Sequence, residues 1–485
     1  MPLILGTNSI KDTGFNVDNS VRFNAADSPS LKIAIGSGAT NTKKFTFSGW
    51  FKKCTNVSGG SATGAAQTIF DINGTNTGAY FNDDHDQFTM NLRNEGATNY
   101  IFKTNRKFRD NSAWLHIVVA IDTTQATEGN RVTVYFNGVE ETSWAEENYP
   151  DQNYEPGFNG GTEADFYIGA VGTTKEFNGY IAEVVCIDGT KYAASDFGEF
   201  DEDSPRIWKP KDVSGLTFGN KGFYLDFKAS GNLGNDANGG TDVTEANLAA
   251  ADQAVDTCTN NFAILNFLDN YYSGATLSEG NLLQVTDTHT GSSSGESSPV
   301  ISTIGVSSGK WYSEVKFVST AEHDYIRVGV TSNQTGPGDG TAVLGNLANS
   351  YGLYFNSGDL YDGNGGTATS YGSAIGVGDI VGIYLDLDNN KLYFSDNGSL
   401  ISSTGISITD PASTNLGFYF FGGSDESRNT ATLAWNYGGC PAFAISSGNT
   451  DDNGYGNFEY SPNITGDSVA KKFYSLNSKN LAEYG

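Results

Sequence analysis

Short alternating segments closed by Gly, Asn or Asp turns recur along this 485-residue sequence. In RVTVYFNG (residues 131–138) apolar side chains occupy every second position before an Asn-Gly pair. In IYLDLDNNKLYFSDNG (residues 383–398) the alternation runs to a DNN turn, resumes, and ends at another Asn-Gly pair. Period-two alternation is typical of half-buried strands, and Asn-Gly favours a two-residue hairpin turn. The pattern therefore predicts an all-β fold.

The length leaves room for two or three domains of ~100–200 residues each. Hydrophobic residues make up 38% of the sequence, enough for each domain to bury a core. We expect two antiparallel β-sandwich (jelly-roll) domains joined by a Gly/Asn-rich bridge. The segment TEANLAAADQAV (residues 244–255) is the one stretch that favours a helix. The predicted boundaries are an N-terminal segment 1–19, a sandwich 20–200, a bridge 201–257, a sandwich 258–445 and a C-terminal tail 446–485. The tail is either a packing segment or one ordered only by a partner.

The net charge of −28 argues against two classes of partner. A surface with this much negative charge repels phosphate backbones and anionic lipids. We therefore expect no nucleic-acid binding and no membrane insertion. Residues 1–12 lack the basic and apolar regions of a signal peptide. The four cysteines lie far apart and without clustered histidines, which disfavours zinc. No cofactor is predicted from this composition.

Residues 20–200 resemble the laminin-G-like, or concanavalin-A-like, jelly roll. The resemblance rests on segments in the family's order, among them KFTFSGWFKK, AWLHIVVAIDTT and NGYIAEVVCIDGTKY. It implies a two-sheet sandwich. Some sandwiches of this class are glycoside hydrolases, and many bind calcium at a rim.

Residues 295–435 resemble a SPRY domain. The segments GKWYSEVKF, DYIRVGVTS, YGLYFNSGDLYDGN and GVGDIVGIYLDLDNNKLYFSDNGSL follow that family's order. The resemblance implies a second sandwich that grips a partner with loops at one end.

The opening residues 1–14, the joining segment 207–219 and the closing residues resemble those of virion proteins from marine tailed phages, in which the two modules occur in this order. The resemblance implies a component of the particle exterior, made in the host cytoplasm. Its implied partners are other virion proteins, further copies of itself (a homo-oligomer, with a trimer favoured for a fibre) and a host-surface glycan or protein.

Paired carboxylates are the first test for a glycoside hydrolase. The nearest match begins at Glu199 and Asp201, but Ser204 stands where a second Glu is expected. This acidic segment follows the last strand of the first domain, so we interpret it as a solvated linker. His116 lies within an alternating strand, where core hydrogen bonding is its expected role. We predict that the protein is not an enzyme.

An acidic run at residues 82–86 allows a calcium site in the first domain. Asp83, Asp84 and Asp86 supply the oxygen donors that calcium prefers. An acidic hairpin tip also explains the run and is the simpler interpretation, and both interpretations stay open.

Aromatic loops are the stronger candidates for ligand binding. In the second domain Tyr354, Asp359, Tyr361, Asp362 and Tyr371 surround a glycine-rich loop. Exposed aromatic rings beside short carboxylates stack on sugar faces and accept hydroxyl hydrogen bonds. The alternative is that Tyr354 and Tyr371 are strand residues that fill the sheet.

Tyr149 and Tyr154 lie in a long loop of the first domain. Such a loop either binds a ligand or covers an edge strand.

The function predicted from the sequence is a non-enzymatic phage surface appendage, a tail or head fibre subunit. It would adhere to the host by multivalent binding of glycan or protein through sandwich loops. The alternatives are a decoration or cement protein of the capsid or tail without receptor binding and, third, a glycan depolymerase.

Overall fold

Nearly all of the regular structure consists of strands. In the computed structural model the described residues are 12–56, 66–72, 77–82, 86–93, 99–157, 165–172, 174–269, 275–286, 299–320, 325–333, 343–363, 366–425, 430–465 and 471–485. Strands account for 43% of the structure, with one α-helix among the described residues. The predicted all-β fold is confirmed. No helix among these residues is long and apolar enough to cross a membrane.

The chain forms two compact units, Thr13–Thr259 and Asn260–Gly485. The strands of the first unit are β1 (Ser20–Phe23), β2 (Ser30–Ala34), β3 (Lys44–Lys53), β4 (Gln67–Ile72), β5 (Thr77–Phe81), β6 (Gln87–Leu92), β7 (Tyr100–Lys107), β8 (Leu115–Asp122), β9 (Val132–Phe136), β10 (Val139–Glu140), β11 (Trp144–Glu147), β12 (Asp165–Ile168), β13 (Gly179–Asp188), β14 (Gly198–Phe200), β15 (Trp208–Pro210), β16 (Phe223–Leu225), β17 (Thr244–Ala246) and β18 (Gln253–Ala254). Its 3₁₀ turns are Ala25–Asp27, Glu128–Asn130, Ala194–Asp196 and Ala250–Asp252.

Two antiparallel sheets build the first unit. Sheet 1 has the order β10-β9-β8-β3-β13-β1-β18, with β16 added to β13; sheet 2 has the order β11-β7-β6-β5-β4-β12-β2-β17. Alternate side chains of both sheets meet in one core. At its centre the rings of Phe70 and Phe166, both from sheet 2, stack with centroids 5.5 Å apart, and Phe47 from sheet 1 lies 4.6 Å from Phe70.

The predicted Asn-Gly hairpins are confirmed. Asn137 and Gly138 join β9 to β10 with φ values of 48° and 77°. Asn397 and Gly398 make the equivalent turn in the second unit, again with both φ values positive. Positive φ at both central residues is what a type I′ turn requires, and Asn-Gly adopts it at little steric cost.

Residues 201–257, expected as a bridge, pack on the first sandwich. β16 pairs with β13, β17 pairs with β2, and β18 pairs with β1. The predicted helix in residues 244–255 is wrong: the segment contains β17, a 3₁₀ turn and β18. Both sheets offer an unpaired edge to this segment, and satisfying an edge outweighs the weak helix preference of an Ala-rich stretch.

A buried ion pair ties this segment to the sandwich. Lys52 Nζ donates to Asp256 Oδ2 at 2.7 Å, and both side chains are at most 1% exposed. Trp114 Nε1 donates to the other oxygen of Asp256 at 3.1 Å. A buried charge is tolerated only with such partners, so the pair anchors the segment together with the three strand pairings.

The strands of the second unit are β19 (Thr276–Ser278), β20 (Leu283–Val285), β21 (Val300–Ile301), β22 (Lys310–Thr320), β23 (Ile326–Thr331), β24 (Ser350–Tyr354), β25 (Leu360–Tyr361), β26 (Ala368–Thr369), β27 (Ile380–Asp386), β28 (Lys391–Asp396), β29 (Ser399–Leu400), β30 (Ile406–Ser407), β31 (Phe420–Asp425), β32 (Ala431–Asn436), β33 (Asn463–Ile464), β34 (Lys471–Lys472) and β35 (Tyr474–Ser475). The α-helix is α1 (Ser478–Tyr484), and 3₁₀ turns lie at Phe267–Asp269 and Pro411–Ser413. Sheet 3 has the order β19-β20-β32-β22-β27-β28-β29, and sheet 4 has the order β21-β31-β23-β24-β25-β26.

The C-terminal tail covers sheet 3. β35 adds to β22 in parallel, and Phe458 and Phe473 pack on Tyr312 and Tyr384 of the sheet. The buried carboxylate of Glu314 anchors the tail backbone: Oε2 accepts the amide of residue 459 at 3.0 Å, and Oε1 accepts the amide of residue 460 at 2.7 Å. The tail is thus a packing segment of the second unit.

Lys52→Met is expected to destabilise the first unit by about 3–5 kcal/mol, because it leaves the buried Asp256 without its counter-charge. Denaturant unfolding of the full chain measures the loss. The double variant Lys52→Met/Asp256→Leu is expected to regain part of it. The matched control is Lys32→Met, which breaks an exposed pair with Asp165 and should change little. Equal losses from Lys52→Met and Lys32→Met would contradict the anchoring role.

Glu314→Gln is expected to lower stability of the second unit by about 1–3 kcal/mol, because the new amide NH₂ must face a backbone N–H at either oxygen position. Thermal unfolding checks this, with the exposed Glu483→Gln as control in the same unit. The loss should come with faster proteolysis of the tail; an unchanged midpoint would show that Glu314 does not anchor it.

Candidate functional site

Two of the predicted tyrosines meet in the second unit. Tyr354 at the end of β24 and Tyr361 on β25 lie with ring centroids 5.6 Å apart at an interplanar angle of 83°. The glycine-rich hairpin brings them together because β24 and β25 pair in antiparallel register. Tyr325 adds a third ring, 6.4 Å from Tyr354, and is 45% exposed. These three residues are called the tyrosine cluster below.

Arg327 supports the tyrosine cluster from beneath. Its guanidinium carbon lies 3.7 Å from the centroid of the Tyr361 ring and 5.6 Å from that of Tyr354. The side chain is 4% exposed, and Nη1 donates to Leu344 O at 3.1 Å and Asn346 Oδ1 at 2.7 Å. A desolvated cation against a ring face is a strong cation–π contact. Arg327 therefore fixes the orientation of both rings.

The sequence alone does not single out Arg327. This residue lies in the alternating run YIRVGVTS, which predicts a strand and no further role for its members. The available signal was a lone cation within an otherwise apolar strand, since a buried Arg needs specific partners. Which rings supply those partners follows only from the pairing of β23 with β24.

Asp359 stabilises the turn of the hairpin. The main-chain carbonyl of Asp359 accepts the Tyr354 amide at 2.8 Å, and its carboxylate accepts Ser357 Oγ at 2.7 Å. Asp362 follows Tyr361 directly and is half-buried. Both carboxylates thus lie in the same hairpin as the tyrosine cluster.

Tyr371 lies elsewhere. Its ring packs on Phe394 of sheet 3 at 6.1 Å, and burial raises the pKa of its hydroxyl to about 12. The structure therefore separates Tyr371 from Tyr354 and Tyr361.

Tyr149 and Tyr154 pack against the first sandwich. The ring of Tyr149 lies 5.0 Å from Phe102, and its hydroxyl donates to Glu147 at 2.6 Å. The ring of Tyr154 lies 4.9 Å from Tyr100. Both are partly buried against the core, which is the arrangement expected of a loop that covers a sheet edge.

The acidic run 82–86 is described only in part, since Asp83 and Asp84 lie outside the described residues. The carboxylate of Asp86 is buried and accepts Lys53 Nζ at 2.6 Å. Within the described ranges, no group of three or more His, Cys, Asp or Glu side chains is placed to hold a metal ion. A calcium site at this run remains a prediction.

The acidic segment after the first domain forms the short β14–β15 hairpin. Lys209 on β15 lies 3.2 Å from the Asp201 carboxylate and 3.8 Å from that of Glu199. The Asp201 carboxylate also accepts the amides of residues 203 and 204, which, with Lys209, lowers its pKa. The interpretation of this segment as a solvated linker is therefore wrong: Glu199 lies on a paired strand, and Asp201 is buried and bound to Lys209.

His116 makes the expected hydrogen bonds in the protein interior. Trp208 Nε1 donates to Nδ1 at 3.0 Å, so Nδ1 is the acceptor and Nε2 carries the proton toward Ser48 Oγ at 2.8 Å. A histidine that activates a serine must instead accept the hydroxyl proton at its free nitrogen. The Ser48–His116 pair is thus in the wrong tautomer for nucleophilic catalysis.

Comparison with known families identifies both sandwiches. Residues 27–193 match the concanavalin A-like lectin/glucanases superfamily (Laminin_G_3), and residues 310–431 match the SPRY domain. The two matched regions are called the Laminin_G_3 domain and the SPRY domain below. Each match covers less than half of the sequence. No curated protein matches the chain.

Solved structures with similarity include two SPRY domains and one bacterial protein. The SPRY domain of human HERC1 has 16% identity and a TM-score of 0.26, over 35% of this chain and 94% of that one. A second human SPRY domain has 19% identity and a TM-score of 0.24, over 31% and 89%. A Bacteroides ovatus protein provisionally described as carbohydrate-binding has 14% identity and a TM-score of 0.31, over 48% and 58%. None of the three bears on what this chain binds.

His116 is expected to stay neutral in the folded protein well below pH 6.5, because burial lowers its pKa to about 3. Since the unfolded state takes up the proton first, this residue withdraws stability as pH falls from about 6.5 toward 3. Nitrogen-15 NMR of the imidazole, assigned with His116→Phe, should show the Nε2–H tautomer from pH 7 to about 4.5. A titration near 6.5 would contradict the buried network.

Proposed function

We propose that this chain is a non-enzymatic adhesion protein that binds a surface glycan or protein through the tyrosine cluster of its SPRY domain. The observation that carries the proposal is the pair Tyr354 and Tyr361, held by the buried Arg327 next to an exposed Tyr325. Aromatic residues with few rotatable bonds supply contact area at a low entropic cost, and fixing them beforehand lowers that cost further.

The chemistry of the cluster suits an uncharged, hydroxyl-rich or peptide ligand. Ring faces pack on the C–H faces of sugars or on apolar side chains, and tyrosine hydroxyls add hydrogen bonds. The half-buried carboxylates of Asp359 and Asp362 lie in the same hairpin and are acceptors for hydroxyl or amide groups. With a net charge of −28 the chain repels polyanions, which favours a neutral or basic partner.

The setting we propose is the exterior of a phage particle, as an appendage built from several copies. Its motivation is the likeness of the terminal and joining segments to virion proteins of marine tailed phages. In a trimer each copy would bind weakly, and simultaneous engagement of several sites would multiply the affinity. A purely decorative role on capsid or tail is the alternative outcome of the test below.

Tyr361→Ala is expected to reduce binding of the full chain to bacterial envelope fractions about tenfold or more. The substitution removes one of the two rings that contact Arg327 and that are proposed to contact the ligand. Tyr361→Phe keeps the ring and should retain most of the affinity. Tyr149→Ala, which alters a ring packed on the first sandwich, is the matched control. Surface plasmon resonance on immobilised fractions measures all four proteins, and circular dichroism verifies folding.

Unchanged affinity of Tyr361→Ala would remove the tyrosine cluster from the adhesion surface. Absence of binding by the unaltered chain, together with incorporation into particles, would favour the decorative role.

A further inference from the structure

A lysine and an aspartate from distant parts of the sequence are in contact inside the first unit. Lys52 is the last residue but one of β3, and Asp256 lies two residues after β18. Nζ of Lys52 lies 2.7 Å from Oδ2 of Asp256, and the two side chains are 0% and 1% exposed. The amine and the carboxyl group are therefore held together and shielded from bulk water.

The second oxygen of the Asp256 carboxylate faces a fixed hydrogen-bond donor. Trp114 Nε1 donates to this oxygen, Oδ1, at 3.1 Å. The Trp114 side chain is itself buried, as is Tyr180, whose ring centroid lies 5.7 Å from Lys52 Nζ. A fixed donor at this distance stabilises negative charge that develops on the oxygen of a reacting carboxyl group. The carboxyl carbon thus has an amine nucleophile beside one oxygen and an oxyanion donor beside the other.

We propose that Lys52 and Asp256 condense to an isopeptide bond, an internal covalent cross-link of the folded chain. One proton passes from the ammonium to Oδ2 along the hydrogen bond, which leaves a neutral amine and a carboxylic acid. The nitrogen lone pair attacks the carboxyl carbon, and the electron pair of the C–O double bond moves onto Oδ1, next to Trp114 Nε1. The double bond then re-forms, the bond from carbon to Oδ2 breaks, and Oδ2 leaves as water with a second proton from the nitrogen.

The interior of the sandwich favours this reaction in two ways. A buried ion pair carries the desolvation cost of two charges, whereas the amide product is neutral. Groups held in reactive contact within one molecule reach effective concentrations of ~10⁵–10⁸ M. The pair of Lys32 and Asp165 offers the contrast, because the same groups lie 3.1 Å apart with 42% and 24% of their side chains exposed. Water solvates both charges there, so we expect no bond.

The cross-link fastens the end of the first unit. Asp256 lies four residues before Asn260, where the second unit begins. Tension that arrives along the chain therefore passes through Asp256 into β3, which is paired on both sides with β8 and β13. The short pairings of β17 and β18 are spared that load. This inference does not involve the tyrosine cluster, so it and the proposed function can fail independently.

The test is mass spectrometry of the full chain after unfolding and digestion with trypsin. The expected product is a branched peptide that joins residues 45–53 to residues 229–310 and is lighter than its two parts by one water. Lys52→Arg keeps a cation beside Asp256 but lacks the amine nucleophile, and it should yield no branched peptide. Trp114→Phe keeps a ring but removes the oxyanion donor, and it should slow cross-linking about a hundredfold after cell-free synthesis.

Lys32→Arg, which alters the exposed pair, is the matched control and should leave the amount of branched peptide unchanged. Recovery of the two peptides from the unaltered chain as separate molecules of full mass would overturn the inference. A link between Lys53 and Asp86, the other buried pair of this kind, in place of Lys52 and Asp256 would also overturn it. So would a branched peptide that persists in Lys52→Arg protein shown to be folded by circular dichroism.

Discussion

Buried carboxylates determine how the segments outside the sandwiches attach to them. In a sandwich of short strands, apolar side chains pack between the two inner faces. The outer faces and the edge strands remain exposed unless another segment covers them. In the first unit Asp256 joins residues 201–257 to Lys52 on β3. In the second unit Glu314 brings the tail to β22 by accepting its backbone amides. Removing the partners of either carboxylate would leave a buried polar group unsatisfied, which costs more than losing one apolar contact.

The parts of the fold that the sequence predicts are those with local causes. Strand alternation and the Asn-Gly turns at residues 137–138 and 397–398 depend on neighbouring residues alone, and both are confirmed. The docking of residues 201–257 depends on partners such as Lys52 and Asp256, which are 204 positions apart. No pattern in a single sequence reports such a pair. In the Ala-rich segment 244–255 the local preference favours a helix, whereas pairing with the sheet edges makes short strands.

The candidate site residues also differ in whether local sequence or long-range pairing places them. Tyr354 and Tyr361 come together because one hairpin joins their strands, whereas Tyr371, ten positions later, packs on Phe394 in the other sheet. Arg327 does not stand out in the sequence. It occupies an ordinary strand position, and it becomes informative only when its neighbours, the rings of Tyr354 and Tyr361, are known.

The two outer faces of the first sandwich differ in how their buried side chains are satisfied. On sheet 1 the outward residues Val118, Val185 and Ile187 are buried beneath Phe197 and Val213, so that face is completed as a second apolar core. On sheet 2 the outward row contains Asp71 and Asn91 with unpaired oxygens among the described residues. An apolar residue at position 71 would remove the cost of a buried, unpaired carboxylate without disturbing the core on the opposite face. The polar row on sheet 2 therefore costs the first unit stability that the completed apolar face of sheet 1 does not.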